Sequence, residues 1–260
     1  MENTLGVIPA RMSSSRFPGK PLKKILDIPM LGHCYERALL SGACDKLIIA
    51  TPDQEIIDWA NSHYIPSVLT SHSHKRATDR AKETLDILAK RGNLYDLILL
   101  LQGDEPQILP QEINNLKDAF SGKESEIVNL VFPIKGYDSE DPNVVKAIVD
   151  SNLKINFFSR SNIPNKSTTT FRQLGMIGFT KTALNHYSAL LPTPLEELES
   201  IDMMRFLEND FCIQGILSSS HTIGVDTPED IITAEKMMLD DKFIDLYKKT
   251  KKDIYFVKII

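Results

Sequence analysis

Unbroken apolar runs alternate with helically spaced segments through the first hundred residues. Residues 5–8, 46–51, 67–70 and 96–101 have the length of strands and no polar alternation, the mark of strands covered on both faces. Between them the spacing of apolar positions predicts helices over 29–40, 55–61 and 78–89. Pro29 suits a first turn, Gly42 suits a terminator, and Asp53 is the expected cap of the second helix. Repeated strand–helix units of this kind predict an α/β fold built on a mainly parallel central sheet.

The pattern loosens after about residue 126. Residues 127–133, 144–149 and 155–158 read as strands with few helices between them, which predicts antiparallel additions to the sheet. Residues 161–171 read as a loop and 175–179 as another strand. A helix is predicted over 195–208 after the Pro192-Thr193-Pro194 break, then strands over 211–217 and 222–225, then a helix over 228–239. Length and pattern predict one domain over 1–240, with 150–210 as an excursion from it, and a tail over 241–260 to which the pattern assigns no structure.

Composition narrows the function. A net charge of −5 and a pI near 5.7 disfavour a general nucleic-acid or membrane-surface binder and leave room only for a local basic cleft. No apolar run reaches the length of a membrane span and Leu5 already opens the first strand, so a cytoplasmic protein is expected. Cys34, Cys44 and Cys212 lack the spacing of a zinc site and are expected to be reduced, packed thiols. His72 and His74, without a third placed ligand, are expected to be solvated. Trp59 is expected to pack, and the Lys248–Lys252 run to be a solvated face.

The basic cleft has a candidate. After the first strand comes Arg11-Met12-Ser13-Ser14-Ser15-Arg16-Phe17-Pro18-Gly19-Lys20, in which small residues admit backbone N–H groups to an anion and Arg11, Arg16 and Lys20 bring positive charge. The P-loop pattern is not met, because Ser14 replaces its first Gly and Pro21 its Ser or Thr. No G-x-G-x-x-G follows the strand either, which sets aside a NAD dehydrogenase. Directly after the most apolar strand stands Gln102-Gly103-Asp104-Glu105-Pro106, either a plain turn or a carboxylate at the crevice where open parallel sheets bind ligands. Asp226, before Thr227-Pro228-Glu229-Asp230, is either a helix cap or a second acid reaching that crevice. Two carboxylates beside phosphate oxygens are what Mg²⁺ takes.

Taken together, Ile8-Pro9-Ala10-Arg11, Ser15-Arg16-Phe17-Pro18-Gly19-Lys20-Pro21-Leu22, Thr78-Asp79-Arg80, Gln102-Gly103-Asp104-Glu105-Pro106, Phe158-Ser159-Arg160 and Gly224-Val225-Asp226-Thr227-Pro228 resemble the 3-deoxy-manno-octulosonate (KDO) cytidylyltransferase, or CMP-KDO synthetase, family. The likeness runs from about residue 5 to about 239. It implies a Rossmann-like nucleotidyltransferase fold, a homodimer using the 150–210 excursion, and Mg²⁺-dependent transfer of CMP from CTP to the anomeric hydroxyl of a 2-keto-3-deoxy sugar acid for lipopolysaccharide or another surface polysaccharide. Carried over by position, Arg11, Lys20 and Asp104 are catalytic, and Arg11, Ser14, Arg16, Lys20 and Gln102 bind nucleotide. Arg80, Gln102, Arg160, Gln173 and Asp202 bind the acid sugar, and Asp104 and Asp226 hold the metal. The motifs place no His as the general base.

The departures gather in segments expected to face the sugar. Arg76-Ala77 stands where that family usually has Ser-Gly, Gln173 for His, Ile177 and Phe179 for Tyr, and Asp202-Met203 for Glu-Gln. Lost polar partners favour a less hydroxylated or differently substituted acid, such as 8-amino-KDO, with Arg76 a candidate compensating cation. KDO is the first expectation and drift the simpler account of the departures. A non-catalytic nucleotide-binding homologue is the third reading, against which the four separated charges Arg11, Lys20, Asp104 and Asp226 weigh.

Overall fold

The computed structural model describes residues 3–13, 16–122, 125–134, 140–163, 170–220 and 222–248. Its first half follows the predicted units: strand β1 (Thr4–Pro9), helix α1 (Met30–Ser41), β4 (Lys46–Thr51), α2 (Gln54–Ser62), β5 (Ser67–Leu69), α3 (Ala77–Lys90) and β6 (Leu97–Leu101). A small hairpin of β2 (Lys24–Ile25) and β3 (Ile28–Pro29) precedes α1. Strands β5, β4, β1 and β6 pair in parallel in that order. The unalternating run of β6 is explained by its two neighbours: Leu97, Leu99 and Leu101 enter one core beneath α1, α2 and α4 (Pro110–Asp118), while Ile98 and Leu100 enter the other beneath α3.

Beyond β6 the sheet is mixed. The strands are β7 (Ile127–Ile134), β8 (Lys146–Val149), β9 (Lys154–Ser159), β10 (Thr170–Thr180) and β11 (Ile213–Leu217), and the nine-stranded order is β5-β4-β1-β6-β10-β7-β11-β9-β8. Only β11 and β7 run parallel in this half, so the parallel character read from the apolar runs belongs to the first four strands. Strand β10 also pairs with β8 through Phe171↔Ala147 and Arg172↔Lys146, which closes β7, β10, β8, β9 and β11 into a small ring. A bulge makes the turn possible. Gln173 faces Val131 and Ile177 faces Asn129, so β10 carries surplus chain over that interval and bends.

Two expected elements differ. The helix predicted over 195–208 is split into α6 (Pro194–Glu199) and α7 (Met203–Leu207), with Ser200 in the left-handed region at φ 55°. The split lets Arg205 reach back to Glu196 through two 2.7 Å bonds, a buried pair that a continuous helix would not need. The strand predicted over 222–225 is irregular: its backbone turns to Asp104, not to a ladder, Val225 N donating to Asp104 O at 2.9 Å. Helix α5 (Lys181–Ala189) and α4 were not read from the pattern, and helix α8 (Pro228–Met238) was.

A third core lies under the hairpin, α8 and a helix over 242–248, which occupies part of the tail the pattern left unassigned. His33, fully buried on α1, fastens it: Nε2 faces Ile25 O at 2.8 Å, so that nitrogen donates, and Nδ1 accepts from the Tyr247 hydroxyl at 2.6 Å. Buried Arg37 pairs with Asp241 on the same seam. Of the cysteines, Cys34 is buried, but Cys212 is exposed, not packed. Trp59 packs as expected. His74 is held by Glu83 at 2.7 Å where solvation was expected.

Candidate active site

The polar loop after β1 is shaped by its ends. Gly19 takes φ +75°, which a side chain would resist, and its N–H closes the loop on Met12 O at 3.0 Å. Met12 N in turn donates to Asp53 Oδ2 at 2.7 Å, so Asp53 stands at the start of α2 but its carboxylate serves this loop and makes no cap. Lys20 then opens a one-turn 3-10 helix and points inward, nearly buried.

Lys20 gathers the two acids. Its Nζ lies 2.9 Å from Asp104 Oδ2, 3.2 Å from Asp226 Oδ1 and 2.6 Å from Val225 O. Burial pulls the Lys20 pKa down, but the two carboxylates outweigh it and hold it above the ordinary value, so the ammonium stays charged. Asp226 is not the cap of α8. Thr227 is, through a capping box with Asp230, which leaves the Asp226 carboxylate free to face Lys20 and Arg16, the latter at 3.2 Å. Two carboxylate oxygens sharing one ammonium are close enough to share one cation, and both side chains remain about a third exposed, so the donor set fits a hydrated, phosphate-bound Mg²⁺.

Two cavities meet here. The first, of about 290 Å³, is walled by Arg11, Arg16, Lys20, His74, Lys75, Arg76, Ala77 and Arg80. The second, of about 700 Å³, is walled by the mouth of the strand ring, including Asp141, Asn143, Arg160, Arg172, Gln173, Ile177 and Asp202. Arg16, Gln102, Asp104 and Asp226 line both. A phosphate chain in the first cavity would therefore end at the acids that border the second.

The expected residues separate accordingly. Arg80 lines the first cavity; its guanidinium bonds Thr70 Oγ1 and Ser71 O, and burial, then the nearby Arg11 charge, lower its pKa. Arg160 borders the second, held by Glu199 O at 2.9 Å and Pro142 O at 3.2 Å. Gln173 donates from Nε2 to Asn129 Oδ1 at 2.7 Å. Asn129 cannot be turned over, because its Nδ2 already meets the carbonyls of Leu130, Leu174 and Met176, so its oxygen accepts and the Gln173 amide nitrogen is the donor. The Asp202 carboxylate is taken by the Thr78 hydroxyl at 2.7 Å. Ser14 lies outside the described residues.

Of the sequence departures, Gln173, Ile177 and Asp202 line the second cavity and Arg76 and Ala77 the first, while Phe179 and Met203 are fully buried core. Phe179 stacks on Phe206 at 5.8 Å. Arg76 is no free cation: it is bound by Glu196, at 3.3 Å to Oε1 and 3.0 Å to the backbone O. Sequence reasoning missed Glu105 and Arg172. Glu105 is buried, its Oε1 accepting from Gly175 N at 2.7 Å and its Oε2 without a hydrogen-bond partner among the described residues; burial raises its pKa despite Arg172. A Cβ at Gly175 would lie 2.5 Å from Gln102 Cγ, so the bulge and the shared wall are pressed together.

A family model described as cytidylyltransferase matches residues 5–223. A 3-deoxy-manno-octulosonate cytidylyltransferase of Thermodesulfovibrio yellowstonii is 36% identical over 249 residues, covering 90% of this chain and 98% of that protein. One from Nitratidesulfovibrio vulgaris is 37% identical over 236 residues, covering 87% and 92%. A solved CMP:2-keto-3-deoxy-manno-octonic acid synthetase complexed with CTP superposes with a TM-score of 0.82 at 29% identity, covering 91% of this chain and 98% of that one. A thymidylyltransferase-like structure from Bacillus anthracis, at 16% identity and TM-score 0.70, shares the fold.

Proposed function

The chain belongs to the 3-deoxy-manno-octulosonate cytidylyltransferase family, and we propose that it transfers CMP from CTP to the anomeric hydroxyl of KDO, releasing pyrophosphate. The observation that carries this is the pair of cavities joined at Arg16, Gln102, Asp104 and Asp226. The nucleotide takes the first, where Arg11, Arg16 and Lys20 meet its triphosphate, and the acid sugar takes the second, with Arg160 near its carboxylate. The sugar hydroxyl oxygen forms a bond to the α-phosphorus and gives up its proton to solvent as the bond from that phosphorus to the bridging β-phosphate oxygen breaks, and the electron pair leaves with pyrophosphate. Lys20 and Arg16 offset the negative charge on the phosphates along this path. Asp104 and Asp226 would hold Mg²⁺, which when bound neutralises phosphate charge. We place the reaction in the cytoplasm, ahead of lipopolysaccharide or other surface-polysaccharide assembly, in a homodimer formed through the 150–210 region.

The test is pyrophosphate release with Mg²⁺ and CTP, offering KDO, 8-amino-KDO, a sialic acid or buffer alone. Release is expected with KDO, abolished by Asp104→Ala and by a chelator. Release only with another acid would refute KDO as the acceptor, and the apolar Ile177 in the second cavity is what favours that second reading. Silence with every acid, with CTP still bound, would refute catalysis. A monomeric mass at micromolar concentration would refute the dimer.

A further inference from the structure

Lys146, at the start of β8, has no side-chain exposure and, among the described residues, no carboxylate within ion-pair distance. A buried charge needs its hydrogen bonds complete, and this one has them from main chain alone: Nζ donates to Asp141 O at 2.6 Å, Val144 O at 2.9 Å and Arg160 O at 2.7 Å, which uses all three ammonium protons. Those carbonyls come from two separate segments of the second cavity's wall, the loop that leads into β8 and the residue that follows β9. A neutral side chain of the same length could not satisfy three carbonyls at once.

The knot has two neighbours that matter. Arg160 borders the cavity with its guanidinium leaning on Pro142 O and Glu199 O, so its position depends on where Lys146 holds its backbone. Asn143 lies between Asp141 and Val144, its N–H donating to Asp141 Oδ1 at 2.8 Å, and its side-chain oxygen accepts from Arg16 Nη1 across the cleft. Arg16 also touches Asp226.

We propose that Lys146 is a positioning residue of the acceptor cavity: its ammonium ties the 141–144 wall to Arg160, and through Asn143 that wall fixes Arg16 beside Asp226. The inference rests on the reaction proposed above. It makes Lys146 act on acid-sugar binding without touching the sugar.

The test compares wild type, Lys146→Met and the exposed-site variant Asn143→Ala by amide hydrogen exchange and by initial rates with CTP and KDO. In Lys146→Met, exchange should accelerate by tenfold or more over 140–146 and 159–161 and stay unchanged in β1, β4 and β6, and the KM for the acid sugar should rise at least tenfold, with a smaller rise in the KM for CTP passed on through Asn143 and Arg16. Asn143→Ala, which leaves the buried knot intact, should lower kcat several-fold with the wall's exchange unchanged beyond Asn143. Unchanged exchange in the wall, or a loss shared equally by both substrates and all strands, overturns the proposal. Since exchange needs no turnover, a wild-type chain silent with every acid refutes the proposed function while the exchange pattern still decides the role of Lys146.

Discussion

His33 sets a pH limit on the fold that can be worked out from its surroundings. The imidazole is fully buried between Ile25 O and the Tyr247 hydroxyl, and burial lowers its pKa from 6.5 to about 4. The unfolded chain takes up this proton near pH 6.5 and the folded chain only near pH 4. Stability from the neutral imidazole is therefore complete above pH 6.5, declines as pH falls between 6.5 and 4, and levels off below. A shift of about 2.5 units at about 1.4 kcal/mol per unit makes the loss about 3 kcal/mol, a large share of a typical folding free energy. His33→Gln keeps one donor and one acceptor but does not titrate. Urea unfolding of both proteins at half-unit steps from pH 7.5 to 4 should show the wild type losing about 3 kcal/mol more than the variant over that range. Parallel curves for the two would refute the assignment of His33 as the titrating group.

Three further outcomes follow from geometry already described. Asp226→Asn should slow pyrophosphate release on the order of 10²- to 10³-fold, with the circular dichroism spectrum unchanged because the Thr227–Asp230 capping box is untouched. Arg205→Met leaves the 1% exposed Glu196 carboxylate with Arg76 as its cation and the Thr193 N–H as its other donor, and should destabilise by about 3 kcal/mol, read as a lower urea midpoint. Gly175→Ala forces a Cβ to within 2.5 Å of Gln102 Cγ and 2.9 Å of Glu105 Oε1; it should raise the KM for both substrates, since Gln102 borders both cavities, and cost about 1 to 3 kcal/mol in urea.

What could be read from the sequence divides at β6. The parallel half was legible because strands covered on both faces are written as unbroken apolar runs, and Leu97 to Leu101 feed two cores with no polar position to confuse the pattern. Arg16, Lys20, Asp104 and Asp226 were legible as candidates because each follows an apolar run that gives way to a polar turn, and the structure brings all four together. The choice between cap and site for Asp226 was not legible, since Asp and Thr are both favoured helix caps, Asp the more so, and only the fold shows Thr227 taking that place. Strand β10 is legible only over its apolar end: Thr170 and Phe171 read as the end of a loop, and Arg172 and Gln173 fall in no predicted element, although all four pair with β7. Lys146 does not stand out in the sequence, because nothing in the pattern announces that the carbonyls of Asp141, Val144 and Arg160 will turn inward to enclose its ammonium.

The bent strand β10 is a ruler laid between the two substrates. Its Met176–Thr180 end is fixed against β6, whose exit carries Asp104, and its Phe171–Arg172 end is fixed against β8 in the acceptor wall. The separation of donor and acceptor is thus written in the covalent length of one peptide segment, not in an angle between two bodies that could drift. Within that segment the surplus residues of the bulge act as a parity setting. Removing one of them would turn Arg172 and Gln173 to the opposite face while Met176 to Thr180 stayed in register, so a single codon could rewrite the acceptor wall, shifting the Gly175 contacts with Gln102 and Glu105 as it did so.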